Sequence, residues 1–194
     1  MLIHHPRFRS QGLQTVFLDR DGVIVEKMPE GQYLCSATDL RILPGVPCAI
    51  ARLNQARVRV LVATNQRGVA LGLYTDSDIE NIHHQIQCRL SLFSAHIDAF
   101  YFCPHERCSC NCRKPLPGMF LQAVSEFSDI TAEGSVMIGD SLSDIQFGSR
   151  LGMSTVWITG DGADRRGGGM SAGPSPTVFC PSLSSAVDIL LADE

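Results

Sequence analysis

The sequence predicts a doubly wound α/β domain, a mostly parallel, Rossmann-like sheet with helices on both faces, and two observations carry that expectation. Short apolar, β-rich runs alternate with helical stripes from end to end. Polar and acidic residues stand directly behind three of these runs, where an open parallel sheet places its ligand crevice. The 194 residues, 44% apolar and 19% charged, fit a single domain over residues 1–194 and exclude disorder as the main theme. A net charge of −4 without any Lys/Arg block argues against nucleic acid or an anionic membrane as partner. Met1 to Gln14 lacks the apolar stretch of a signal peptide, and no run is long enough to span a bilayer, so the expected location is the cytoplasm.

Taken in order, Thr15 to Leu18 is the first strand, and Val46, Ala49, Ile50 and Leu53 form the first helical stripe. Val58 to Ala63 is the second strand. Ile79, Ile82, Ile86 and Leu90 form the second stripe, introduced by Thr75 and Asp78 as a capping box. His83 and His84 fall on its polar side and are expected in solvent. Ala99 to Phe102 is the third strand, followed by an interruption rich in Cys and Pro over 103–118. Phe120, Ala123, Val124 and Phe127 form a third stripe, with Pro117 in its first turn. Ser135 to Ile138 and Ser154 to Ile158 are strands, the latter with Trp157 as a core residue. A Gly-rich surface loop or linker over 160–176 leads to a last strand, Thr177 to Cys180, and a helix, Ser184 to Leu191. Cys35, Cys48, Cys88 and Cys180 are scattered and expected as buried thiols.

The first strand ends in Asp19-Arg20-Asp21-Gly22-Val23. Two carboxylates at this spacing suit phosphoryl chemistry, one as nucleophile and magnesium ligand and the other as general acid toward the leaving oxygen. A surface turn has the same composition. Thr64-Asn65-Gln66-Arg67-Gly68 behind the second strand offers a hydroxyl and backbone amides to a phosphoryl group. Behind the fourth strand stands Gly139-Asp140-Ser141-Leu142-Ser143-Asp144, where Asp140 can join Asp19 on a hard cation and Asp140 or Ser141 can cap a helix. Convergence of all three clusters at strand ends favours the catalytic reading over three separate turns.

Cys103, His105, Cys110 and Cys112 supply three sulfurs and one imidazole within ten positions, enough for a closed, structural Zn2+ site over 103–112. Such an ion offsets the conformational entropy lost in ordering a loop that has no helix of its own. Cys108-Ser109-Cys110 offers the same Cys-x-Cys spacing one step earlier, so spacing alone leaves the register open.

In these motifs the chain resembles the haloacid dehalogenase superfamily of aspartyl phosphotransferases, from about Thr15 to Ile158, through Asp19/Asp21, Thr64, Lys114 and Asp140/Asp144. The resemblance implies that Asp19 forms an aspartyl-phosphate and that Asp21 protonates the leaving alkoxide and later activates water. It further implies that Thr64 and Lys114 hold the phosphoryl oxygens, and that Asp19, Asp140 and the Asp21 backbone carbonyl hold Mg2+. The run Cys110-Asn111-Cys112-Arg113-Lys114-Pro115 resembles a narrower, zinc-bearing group acting on heptose bisphosphates or histidinol phosphate; that alignment leaves Cys108 out of the zinc set. The segment Thr64 to Gly72 is more similar to the heptose branch. The implied substrate is a small phosphorylated sugar, D-glycero-D-manno-heptose 1,7-bisphosphate, converted to the 1-phosphate by a monomeric enzyme. Arg113 then grips the non-reacting phosphate, and Asn65, Gln66, Ser141 and Tyr33, on a substrate loop over 27–33, complete the contacts. Arg67 and Leu71 depart from the pattern, standing where a small residue and an Arg are usual. With no large cap domain, the zinc loop is expected to form part of the roof. The alternatives are a histidinol-phosphate phosphatase and a catalytically silent domain that binds protein through its zinc loop.

Overall fold

A computed structural model describes residues 12–160 and 173–192. Its six strands are β1 (Thr15–Leu18), β2 (Arg59–Asn65), β3 (Ala99–Cys103), β4 (Ser135–Gly139), β5 (Ser154–Ile158) and β6 (Val178–Cys180). They form one sheet in the order β3-β2-β1-β4-β5-β6, and every pairing is parallel. Five helices join them: α1 (Val46–Gln55), α2 (Asp76–Ser91), α3 (Gly118–Glu126), α4 (Leu142–Leu151) and α5 (Leu183–Leu190). The chain winds outward from β1 through β2 to β3, then returns to the other side of β1 to lay down β4, β5 and β6. The switch point between β1 and β4 is where such a sheet opens a crevice beyond its strand ends.

Side-chain alternation divides the core in two. Val16, Leu18, Val60, Val62, Val136 and Ile138 face one side, where α1, α2 and α5 cover them; Phe17, Leu61, Ala63 and Met137 face the other, under α3 and α4. Each such side chain removed from water contributes roughly 1.5–3 kcal/mol, so both faces close on hydrophobic burial. α2 begins with the expected capping box, Thr75 Oγ1 accepting from the Asp78 N–H while Asp78 accepts from the Thr75 N–H.

Several sequence expectations are corrected. His83 is buried, stacked on Phe100 at 4.4 Å, because α2 turns it toward the edge strand β3; His84 is in solvent. Trp157 is only half-buried, against Phe179 of the other edge strand. Cys35, Cys48 and Cys88 are exposed, and only Cys180 of that group is buried. Pro117 stands at the N-cap of α3, one position before its first turn. Most of the Gly-rich stretch, from 161 to 172, lies outside the described residues. Among the described residues no helix is long and apolar enough to cross a membrane.

Candidate active site

All three polar clusters converge at the C-terminal edge of the sheet. Parallel pairing of Leu18 with both Val62 and Ile138 brings the residues that follow β1, β2 and β4 side by side. Gly22 makes the turn after β1 possible: its φ is +86°, and a Cβ there would fall on the Asp140 carboxylate. Asp19, Asp140 and Asp144 each offer an oxygen within 4.8 Å of the others.

The ammonium of Lys114, itself 3% exposed, lies 3.1 Å from Asp19 Oδ1 and 2.6 Å from Asp144 Oδ1, and donates to the Ala63 carbonyl at 2.6 Å. Asp19 Oδ1 also accepts the Arg20 N–H at 2.8 Å, whereas Oδ2 accepts no hydrogen bond from the described residues. Burial, opposed by Lys114 and reinforced by the neighbouring carboxylates, raises the Asp19 pKa to about 7. Asp140 Oδ1 is buried without a partner, and Oδ2 takes the exposed Lys27 ammonium at 2.6 Å. Four crowded carboxylates and an orphaned buried oxygen match the oxygen donors a hard divalent cation requires. Asp144 stands slightly apart in this set: Oδ2 accepts from the Ser141 hydroxyl at 2.6 Å and N–H at 3.0 Å, and Oδ1 faces Lys114, so it positions the lysine.

Asp21 is held by a fork. Arg20, 1% exposed, donates to Oδ1 through Nε at 3.1 Å and to Oδ2 through Nη2 at 3.0 Å, and Gln66 Nε2 donates to Oδ2 at 2.8 Å. Gln66 Nε2 also reaches Thr64 Oγ1 at 2.9 Å, and its Oε1 accepts from the Tyr74 hydroxyl at 2.8 Å. The Asp21 backbone carbonyl accepts no hydrogen bond from the described residues. Asn65 clamps the Lys114 backbone by two bonds, donating to its carbonyl at 3.1 Å and accepting its N–H at 2.9 Å.

The sulfur and imidazole donors of the loop over 103–112 also converge. Cys103 Sγ lies 3.5 Å from Cys110 Sγ and 3.7 Å from His105 Nδ1, and His105 Nδ1 lies 3.2 Å from Cys112 Sγ. Two sulfurs on one tetrahedral zinc ion are about 3.8 Å apart, so the set fits that ion. Cys108, with φ of +61°, is exposed and outside the cluster. The loop is tied to α3 by the Gly118 N–H, which donates to the Asn111 carbonyl at 2.9 Å; a Cβ at Gly118 would strike that backbone.

Two cavities meet at Asn65. One, of about 240 Å³, lies under the segment from Lys27 to Leu34, with Tyr33, Arg20 and Asp21 in its wall. The other, of about 380 Å³, lies under the Cys/His loop, with Arg107, Arg113 and Lys114 in its wall. Arg113 Nη1 is buried there without a partner.

The structure therefore brings together Asp19, Asp21, Thr64, Lys114 and Asp140, and lines adjoining cavities with Asn65, Tyr33 and Arg113. It engages the side chain of Gln66 with Asp21, Thr64 and Tyr74, that of Ser141 with Asp144, and that of Asn65 with the Lys114 backbone. Arg20 carried no role in the sequence reading, and Lys27 entered only as the start of the substrate loop; the basic residue between two aspartates was the available signal for the first. Arg67, the departure behind β2, pairs with Glu106 of the zinc loop at 2.6 Å, and Leu71 is exposed.

A HAD-hydrolase-like family model matches residues 111–186. The D-glycero-beta-D-manno-heptose-1,7-bisphosphate 7-phosphatase of Bordetella bronchiseptica is 34% identical over 182 residues, 93% of this chain and 99% of the relative. The D-glycero-alpha-D-manno-heptose-1,7-bisphosphate 7-phosphatase of Mycobacterium tuberculosis is 36% identical over 159 residues, 81% of each chain. A crystal structure of the Bordetella enzyme, complexed with magnesium and phosphate, superposes with a TM-score of 0.82, covering 92% of this chain and 98% of that one.

Proposed function

We propose that this chain, which belongs to the heptose-1,7-bisphosphate 7-phosphatases of the haloacid dehalogenase-like hydrolases, removes the 7-phosphate of a D-glycero-D-manno-heptose 1,7-bisphosphate. It is a phosphoric monoester hydrolase. The observation that carries the assignment of roles is the buried Lys114 ammonium against Asp19, at the centre of the carboxylate cluster. An anionic attacking group, a phosphoryl-binding cation and a cation site are then within one crevice.

In this reading Asp19 Oδ2, the oxygen without a protein donor, attacks phosphorus, and the bond from phosphorus to the O7 oxygen breaks. Asp21 gives its proton to the leaving alkoxide, then takes one from the water that attacks the aspartyl-phosphate, releasing inorganic phosphate and free Asp19. Arg20 and Gln66 hold Asp21 for both transfers, and Oδ1, with its single donor, keeps capacity for the moving proton. Lys114 and Thr64 bind the phosphoryl oxygens, where fixed charge and dipoles count most. Asp19, Asp140 and the Asp21 carbonyl would hold Mg2+, which when bound neutralises the phosphoryl charge. Cys103, His105, Cys110 and Cys112 would hold Zn2+ as a structural ion. The unpartnered Arg113 guanidinium binds the distal phosphate, and Tyr33 faces the sugar.

The test is phosphate release with Mg2+ from a heptose 1,7-bisphosphate, a heptose monophosphate and histidinol phosphate. The bisphosphate should be the preferred substrate, and Arg113→Ala should lower its kcat/KM by about ten- to a hundred-fold while sparing the monophosphate. Faster turnover of histidinol phosphate, or equal losses on both sugar substrates, would refute the reading.

A further inference from the structure

The wall of the larger cavity carries a second guanidinium that the reaction above does not use. Arg107 lies between His105 and Cys110 on the metal loop and shares the cavity with Arg113 and Lys114. Its side chain is exposed and makes no hydrogen bond to the described residues; only its backbone N–H is engaged, donating to Glu106 Oε1 at 2.7 Å. That same oxygen accepts Arg67 Nε at 2.6 Å. One carboxylate oxygen thus fixes the backbone of Arg107 and ties this part of the loop to the turn behind β2, which also packs on the loop through the Ala70 N–H and the Pro104 carbonyl at 3.1 Å.

One guanidinium with a buried, unpartnered nitrogen, Arg113, and one exposed guanidinium free of protein hydrogen bonds, Arg107, line the same cavity, and their like charges favour an anion there beyond the nearby Glu106 carboxylate. A phosphate dianion suits both, because each guanidinium presents a planar pair of donors to its oxygens. Lys114 does not serve this anion, since its ammonium stands against Asp19, where it binds the reacting phosphoryl group. Resting on the bisphosphatase reading, we propose that Arg107 is a specificity-determining residue that grips the non-reacting phosphate together with Arg113. Arg67 is a positioning residue that acts on the same contact through Glu106. The metal loop then contributes directly to substrate choice, beyond covering the site.

The experiment compares kcat/KM for a heptose 1,7-bisphosphate and for p-nitrophenyl phosphate in wild type, Arg107→Ala, Arg107→Lys, Arg67→Ala and the double Ala variant, with zinc content measured in each. Arg107→Ala should lose about ten-fold on the bisphosphate, chiefly in KM, with aryl phosphate turnover and zinc unchanged; Arg107→Lys should recover part of it. Arg67→Ala, which also removes an interaction with Tyr33, should lose less, and because part of its effect passes through Glu106 to Arg107 the double variant should lose less than the product of the two single losses. An Arg107→Ala enzyme with undiminished bisphosphate preference overturns the proposal while leaving the function intact. An additive double variant overturns the role of Arg67. A wild type with no bisphosphate preference overturns both the function and this inference.

Discussion

Gln66 is the residue at which a substrate-contact role and a supporting role make opposite predictions, and Gln66→Met separates them. Methionine keeps the length of the buried side chain, which is 3% exposed, and deletes all three of its hydrogen bonds. The bond to Asp21 is charge-assisted and contributes about 1.5–3 kcal/mol, while those with Thr64 and Tyr74 contribute about 1 kcal/mol each. Thr64 and Tyr74 are buried, so water cannot replace the lost partner. The expected cost is about 3–5 kcal/mol, or a fall in Tm of roughly 10 °C for a chain of this size. Asp21 keeps Arg20 but loses one orienting donor, so hydrolysis of a sugar phosphate should fall on the order of ten-fold. An aryl phosphate, whose leaving group needs little protonation, should be affected less. Thermal and urea unfolding would measure the first effect, and steady-state kinetics on the two substrates the second. A variant of wild-type stability whose only defect is a raised KM would refute this reasoning and restore Gln66 as a substrate contact.

Asp19→Asn should abolish turnover of every substrate, whereas Asp21→Asn should lose about 10²–10⁴-fold on a sugar phosphate and recover on p-nitrophenyl phosphate; aryl rescue of Asp19→Asn instead would reverse the two roles. Elemental analysis should find about one zinc per chain, retained in Cys108→Ser and lost in Cys110→Ser; the opposite result would reassign the ligands. Burial of His83 lowers its pKa from 6.5 to about 3, so the unfolded chain binds the extra proton between those values and stability falls as pH drops through that window. Wild type should therefore lose about 2 kcal/mol more than His83→Phe between pH 6.5 and pH 5, read by urea denaturation at each pH, and parallel curves would contradict the burial of a neutral ring.

Sequence pattern located the strands within about two residues, because buried parallel strands must be continuous apolar runs and their helices must show one apolar stripe. The convergence of the Asp19/Asp21 pair with Asp140, and of Cys103, His105, Cys110 and Cys112 with one another, was legible for a similar reason: such clusters rest on short spacings at the end of a strand or within one loop. Spacing left Cys108 and Cys110 equivalent as ligands, and the family alignment chose Cys110. The fold places Cys110 in the cluster and leaves Cys108 outside, in the left-handed backbone region.

What only the tertiary structure decided concerns side chains whose partners are distant in sequence. Asp144 and Lys114 form their contact across β1, β2 and β4, so their separation along the chain says nothing of it. Polarity suggested solvent for His83, which the fold instead buries against Phe100 with its Nε2 lacking a hydrogen-bond partner, and the family resemblance implied substrate for Gln66 and Ser141, whose side chains the fold engages with Asp21, Thr64 and Tyr74 and with Asp144. The pairing of Arg67 with Glu106 and the place of Arg107 and Arg113 in the wall of one cavity are of the same kind. Local sequence sets the period and the ligand types, and packing sets which face of each residue meets which partner.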